Sequence, residues 1–195
     1  MAETIRAPFG PADFIINKGD SENEIRFDGT TKLQFESGEV ALEPQYAEIT
    51  SVDMGGGAYD DYFTHYEGTI TISGFQDDLE TFKLALGGLQ EINSADSSEV
   101  RGYADAPVGA SNRERSVTLD IAPRGLMEKN SGEHIHIYKA ASTASYTRAY
   151  GNEQGSVAIE LKIYPKDDAD FATGDNFFRR GYDEIMPWFE AAPVE

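Results

Sequence analysis

Two histidines, His134 and His136, stand two residues apart in an alternating run, so both side chains leave a strand on the same side. That spacing suits a pair of metal ligands, but a closed site needs a third ligand and groups that orient the rings. The one other histidine is His65, distant in sequence. An exposed strand face explains the pair equally well. Asp168, Asp170 and Asp175 invite a calcium loop, which requires an acid or Asn at its fifth position and Gly at its sixth. Counted from Asp168, those positions hold Ala172 and Thr173, so the pattern fails. Gly55-Gly56-Gly57 is followed by Ala58-Tyr59 and not by Lys and a hydroxyl residue, which excludes a phosphate loop and leaves the tip of a hairpin. There is no Gly-x-Ser-x-Gly elbow and no cysteine, which removes thiolate nucleophiles, disulfides and cysteine-held zinc together. With 35 acids in the chain, a glycosidase pair can be nominated almost anywhere, and such a nomination discriminates nothing. The expectation is a protein that is not an enzyme and has no cofactor or metal.

The elements around these residues read as strands. Asp13 to Asn17, Glu24 to Phe27 and Lys32 to Glu36 are short candidates, with Asp28-Gly29 as a turn between the last two. Tyr46 to Met54 reads as a longer strand. After the glycines, pairing is expected to resume at Phe63 and to run through Thr69–Ser73 with a period of two. The two segments would form one long hairpin with a flexible tip at about Asp53 to Tyr66. One helix follows: Phe75, Leu79, Phe82 and Leu86 form an apolar stripe, Asp77 and Glu80 have the form of a capping box, and Gly87-Gly88 supplies the stop. Residues 93–113 read as a loop broken by a strand at Val100 to Tyr103. Val117–Ile121, His134–Tyr138 and Val157–Tyr164 alternate clearly. The predicted fold is mainly β: a β-sandwich or half-barrel with one flanking helix and a long hairpin loop. It forms a single domain over 1–195, with residues 1–12 as an N-terminal arm and 166–195 as a C-terminal arm.

Thirty-five acids against 16 bases give a net charge of −19. Without a positive excess to displace condensed counterions, such a chain is not a nucleic-acid binder. Either the charge simply keeps the protein soluble, or it forms a surface past which DNA moves without sticking. No run approaches 18 apolar residues, and the start Met1 to Arg6 is neither basic nor apolar, so neither a membrane span nor a secretory signal is expected. Two regions suggest contact surfaces. Tyr59, Tyr62, Phe63 and Tyr66 crowd the hairpin tip beside Asp60 and Asp61. Phe177, Phe178, Tyr182 and Trp188 lie beside Arg179 and Arg180, the residue types that interface hot spots favour. The tail reads equally well as a helix folded on its own core.

In segment order the chain resembles the tail tube proteins of long-tailed bacteriophages, and through them the tubes of type VI secretion and contractile injection systems. The likeness rests on the N-terminal arm, the long hairpin, and Ile70-Thr71-Ile72-Ser73-Gly74-Phe75 leading into an acidic helix start. Glu160-Leu161-Lys162-Ile163-Tyr164-Pro165 before an acidic tail adds to it. The resemblance implies stacked, six-membered rings forming a hollow virion tube, assembled in the host cytoplasm, through which DNA passes unbound. It implies self-association, with tape-measure, initiator or baseplate, and terminator proteins as partners. Gly55, Gly56, Gly57, Tyr59, Asp60, Asp61 and Tyr62 would then contact the neighbouring ring. Phe177, Phe178, Arg179, Arg180, Tyr182 and Trp188 would lie across an adjacent subunit, and Asp120 and Glu160 are candidates to face the lumen. The alternatives are a monomeric β-sandwich binding carbohydrate or protein on the 59–66 aromatics, and a tube subunit of a bacterial secretion or injection system.

Overall fold

The computed structural model describes residues 11–74, 77–95, 99–124, 132–148 and 156–181. Alternating apolar residues build β1 (Ala12–Ile16), β2 (Ile25–Phe27), β3 (Gln34–Thr50) and β4 (Ala58–Gly74). They are followed by α1 (Leu79–Leu86), β5 (Gln90–Asn93), β6 (Val100–Ala104), β7 (Val117–Pro123), β8 (His134–Ser142), β9 (Val157–Tyr164) and β10 (Phe178–Gly181). The main sheet is antiparallel in the order β2-β1-β7-β8-β9-β4-β3, with β10 also on β8, while β5 and β6 form a separate pair. The protein is thus mainly β with one flanking helix, as the alternation predicts.

The sheet curls until its ends approach each other. From the start of β3, the Gln34 amide donates to the carbonyls of Ala12 on β1 and Phe27 on β2, both at 2.7 Å. Further along β3, a Cβ at Gly38 would overlap the Phe14 ring and sit 2.9 Å from the Thr71 carbonyl. Only glycine lets the strands close this tightly. Inside the curl lie Phe14, Ile16, Phe27, Ile70, Ile72, Leu119, Ile137, Ile159 and Leu161, each nearly or fully removed from water.

Helix α1 lies over the sheet, but one residue later and on a different face from that predicted. Its cap is Asp78, whose carboxylate accepts from the Thr81 N–H at 2.8 Å. Asp77 instead accepts from the Tyr146 hydroxyl at 2.6 Å and pairs with Arg148 at 2.7 Å. The buried face is Thr81, Leu84 and Ala85, whereas Leu79 is exposed and Phe82 packs edge-on against Tyr146. Phe75 lies outside the described residues. Lys32 reaches the helix start and pairs with Asp78 and Glu80. Burial works against its charge, but the two carboxylates outweigh that, and its pKa is raised.

Other boundaries also move. The two strands expected at Lys32–Glu36 and Tyr46–Met54 are one, β3, because a continuous ladder to β4 pairs the stretch between them. Ala12, assigned to the N-terminal arm, already belongs to β1, and residues 1–10 lie outside the described residues. Gln90–Asn93 and Phe178–Gly181 are strands the pattern did not suggest.

Gly38→Ala should cost about 1–3 kcal/mol, because the added methyl has no room between Phe14 and the β4 backbone. The expected result is a lower urea midpoint with an unchanged slope. An unchanged midpoint would contradict the close approach of β3 to β1.

Candidate functional site: a projecting two-stranded arm

Strands β3 and β4 are each 17 residues long, yet β9 pairs with β4 only from Thr69 to Gly74. Toward the hairpin end, from Ala58 to Gly68, β4 has β3 as its one strand partner among the described residues. Its burial changes accordingly. Gly68, Ile70, Ile72 and Gly74 are buried, whereas every residue from Ala58 to His65 is exposed. Among the described residues the outer half of the hairpin is therefore a ribbon exposed on both faces, with no further strand paired to either edge.

The tip is shorter than predicted. A 3₁₀ turn, Val52–Met54, ends at Gly55, whose φ of 72° is the left-handed conformation that glycine adopts without strain. Gly56 follows at φ 81°. Tyr59, Asp60, Asp61 and Tyr62 lie in β4 and not in a loop. Asp60, Asp61 and Tyr62 stand opposite Ile49, Glu48 and Ala47, and aromatic residues favour a paired strand.

A bulge sets which side chains share a face. The register passes from Gln45↔His65 to Tyr46↔Phe63, leaving Thr64 as an extra residue whose hydroxyl donates to the Gln45 carbonyl at 2.9 Å. The bulge returns Phe63 to the side occupied by Tyr66. The result is a row of rings with centroid separations of 6.0 Å for Tyr46–Phe63, 4.9 Å for Phe63–Tyr66 and 5.1 Å for Tyr66–Phe178. Tyr46 is 59% exposed and Phe63 49%. A hollow of about 260 Å³ opens beside the row, between Phe63, Tyr66, Phe171 and Phe177.

The root of the arm is held by residues from the supposed C-terminal arm. Strand β10 pairs antiparallel with the first half of β8 and continues the line of β9, which pairs with the second half. Phe177 is buried and Phe178 packs against the core, so both belong to the subunit. They do so from a strand and its flank, not from a helix. Asp175 clamps the segment. Its carboxylate accepts from both Arg179 Nε and Nη2, at 2.9 and 2.6 Å, and from the Tyr138 hydroxyl at 2.8 Å. The Arg179 guanidinium holds the Asp175 carboxyl below its usual range, while burial and that carboxylate push the Tyr138 phenol up. Asp170 closes its own turn by accepting from the Ala172 N–H at 3.0 Å. Of the aspartates considered for calcium, Asp170 thus makes a turn and Asp175 a clamp, and among the described residues no cluster of three His, Cys, Asp or Glu could hold a metal. Arg180 is exposed. Tyr182 and Trp188 lie outside the described residues.

The two lumen candidates part company. Glu160 is exposed opposite Thr71. Asp120 is only 3% exposed and lies 2.7 Å from Nδ1 of His136, itself 5% exposed, so it cannot serve as a free surface charge on the subunit. Burial of one charged group demands such a partner, which also explains why His136 does not lie on an open strand face. A larger cleft of about 700 Å³ lies between α1, β5–β6 and the β1–β2 turn. Of its four carboxylates, Glu24, Glu80 and Glu91 are engaged by Arg26, Lys32 and Lys83, and Glu22 is the fourth.

The missed feature of the arm was present in composition. Between Lys32 and Lys83 the sequence has no Lys or Arg at all, and from Leu33 to Gly74 it holds eight acids. The register brings two pairs of those acids directly opposite each other, Glu43 with Glu67 and Glu48 with Asp61. Like charges so placed destabilise a strand pair. No protein-family model matches the chain, and no curated protein matches its sequence. Among the described residues no helix is long and apolar enough to cross a membrane.

The clamp predicts a pH dependence with a definite sign. A carboxyl depressed in the folded state stabilises above its unfolded value, about pH 4, and that contribution fades as the pH falls through the folded value. Asp175→Asn should therefore speed amide exchange in β10 at neutral pH and shrink the difference from wild type in acid. The cost is about 1 kcal/mol or less, since the pair is partly open to solvent. Equal exchange rates at pH 7 would show that the clamp does not hold β10.

Proposed function

We propose that this chain is a structural subunit of a phage-type tail tube, polymerising as stacked rings into a hollow conduit for DNA. The observation that carries the reading is the β3–β4 arm. A two-stranded ribbon in water is marginally stable by itself. This one also exposes Tyr46, Ile49, Val52, Tyr59, Tyr62 and Phe63 along its length. Long, flat, apolar strand edges are sites of pairing with another chain, and proteins that stay monomeric blunt them. Docking in a neighbouring copy would satisfy the free edges and cover the apolar residues together. The sequence resemblance supplies the ring of six and the tape-measure, initiator and terminator partners. The net charge of −19 suits a lumen to which DNA does not adhere.

A monomeric module binding carbohydrate or protein on the Tyr46–Phe63–Tyr66 row is the second reading, supported by the half-exposed rings. It differs in requiring no self-association.

Negative-stain electron microscopy over a range of protein and salt concentrations separates the two. Rings or tubes are expected, favoured by salt because it screens the repulsion between acidic subunits. A strictly monomeric particle under all conditions contradicts the proposal. Replacing residues 51–57 with an Asn-Gly turn should leave a folded subunit that no longer stacks. Tubes of unchanged length would show that the tip takes no part in stacking.

A further inference from the structure

The arm and β10 together carry a charge-polarised strip, and we propose that it is a self-interface in which Arg180 of one copy seats on Glu48 and Asp61 of the next. This rests on the reading of the chain as an assembly subunit and says which contact orders the assembly. Register fixes the members of the strip. Arg180 stands opposite Ile135 on β8, two residues from the Phe178↔Ile137 pair, so it shares a face with Phe178. Phe178 meets Tyr66, Tyr66 meets Phe63, and Phe63 meets Tyr46. Beyond them, Glu48 and Asp61 follow Tyr46 and Phe63 at two residues along regular pairing, and so project from the same face. One face therefore runs from a cation, across half-exposed rings, to a pair of facing carboxylates.

Among the described residues neither end finds a compensating charge. Of the described bases, Arg115, Lys162 and Arg180 form no ion pair; Arg115 donates to the Gly88 carbonyl, and Lys162 lies among the exposed residues of β9 beside Thr69, on the other face of the sheet. At the opposite end, Glu48 and Asp61 face one another on a ribbon without a single Lys or Arg. Pairing two arms through their acidic ends would add repulsion to repulsion. Bringing Arg180 of a second copy to Glu48 and Asp61 relieves it, while the aromatic middle supplies apolar contact. A guanidinium with its fork of donors fits two adjacent carboxylates better than an ammonium would. With a cation at one end and two carboxylates at the other, the strip favours a head-to-tail contact, in which the Arg180 end of one copy meets the acidic end of the next, and such a contact can repeat from copy to copy.

The test is a charge swap read by sedimentation and electron microscopy. Arg180→Glu should raise the concentration at which assemblies appear by about tenfold or more, as the loss of a desolvated charge pair does at an interface. Glu48→Arg should do the same from the other end, which covers the case in which one variant folds poorly. Circular dichroism melting checks the fold, and both positions are exposed. Combining the two substitutions should restore assembly to near the wild-type concentration. If the wild type assembles and Arg180→Glu and Glu48→Arg assemble equally well, the strip is not the interface, and the assembly reading stands without it. If both single variants fail and the swap does not rescue them, the direct pairing is overturned. If the wild type itself remains monomeric throughout, both readings fall.

Discussion

Backbone hydrogen bonding constrains the β3–β4 arm more tightly than any side chain does. Within the curl of the sheet, β1, β7, β8, β9 and the inner half of β4 find neighbours on both sides, and apolar side chains such as Ile70, Ile72 and Ile159 complete the packing. Past Thr69 the partner β9 is gone. From there to the tip, the N–H and C=O groups on the two edges have no further strand partner among the described residues, and each edge is a template for another strand. The aromatic residues, the acids and the glycine-rich tip all sit on this segment. Their significance follows from where the sheet stops supporting the chain.

The rest of the subunit is arranged to hold the root of that ribbon firmly. Gln34 ties the first residue of β3 to the backbones of β1 and β2, and the absence of a side chain at Gly38 lets the same strand pass against Phe14. On the other side, β10 replaces β9 in the sheet, and Phe177 and Phe178 pack against Tyr66 where the arm departs. Asp175 fixes that segment through Arg179 and Tyr138. A rigid root with an unsupported outer half is an arrangement suited to docking, because little of the base has to be reordered on association.

Strand identity was readable from alternation wherever one face is buried, as in β7, β8 and β9. It was less readable in the arm, where both faces are exposed and the pattern of Glu43 to His65 carries no alternation to follow. The bulge at Thr64 reverses the side-chain order without any sequence mark. β10 escaped notice because Arg179-Arg180 resembles a surface patch until the pairing with β8 is known. Asp120 looked like an outward charge by strand parity; it does leave the core side, but His136 from the next strand buries it there. The capping residue was missed by one position because Asp77 and Asp78 are chemically equivalent, and only Tyr146 and Arg148, distant in sequence, claim Asp77. The base-free stretch from Leu33 to Gly74 was visible all along, and only the register of β3 on β4 gives it meaning.

The central claim is that the outer half of the arm is held by another copy and not by its own core. Hydrogen–deuterium exchange of the amides between Glu43 and His65, compared in dissociated and assembled protein, tests this most directly. The account predicts fast exchange in the lone subunit, at rates far above those of β7 and β9, and strong protection on assembly. Amides already as protected in the dissociated subunit as those of β9, or equally unprotected in both states, would contradict it.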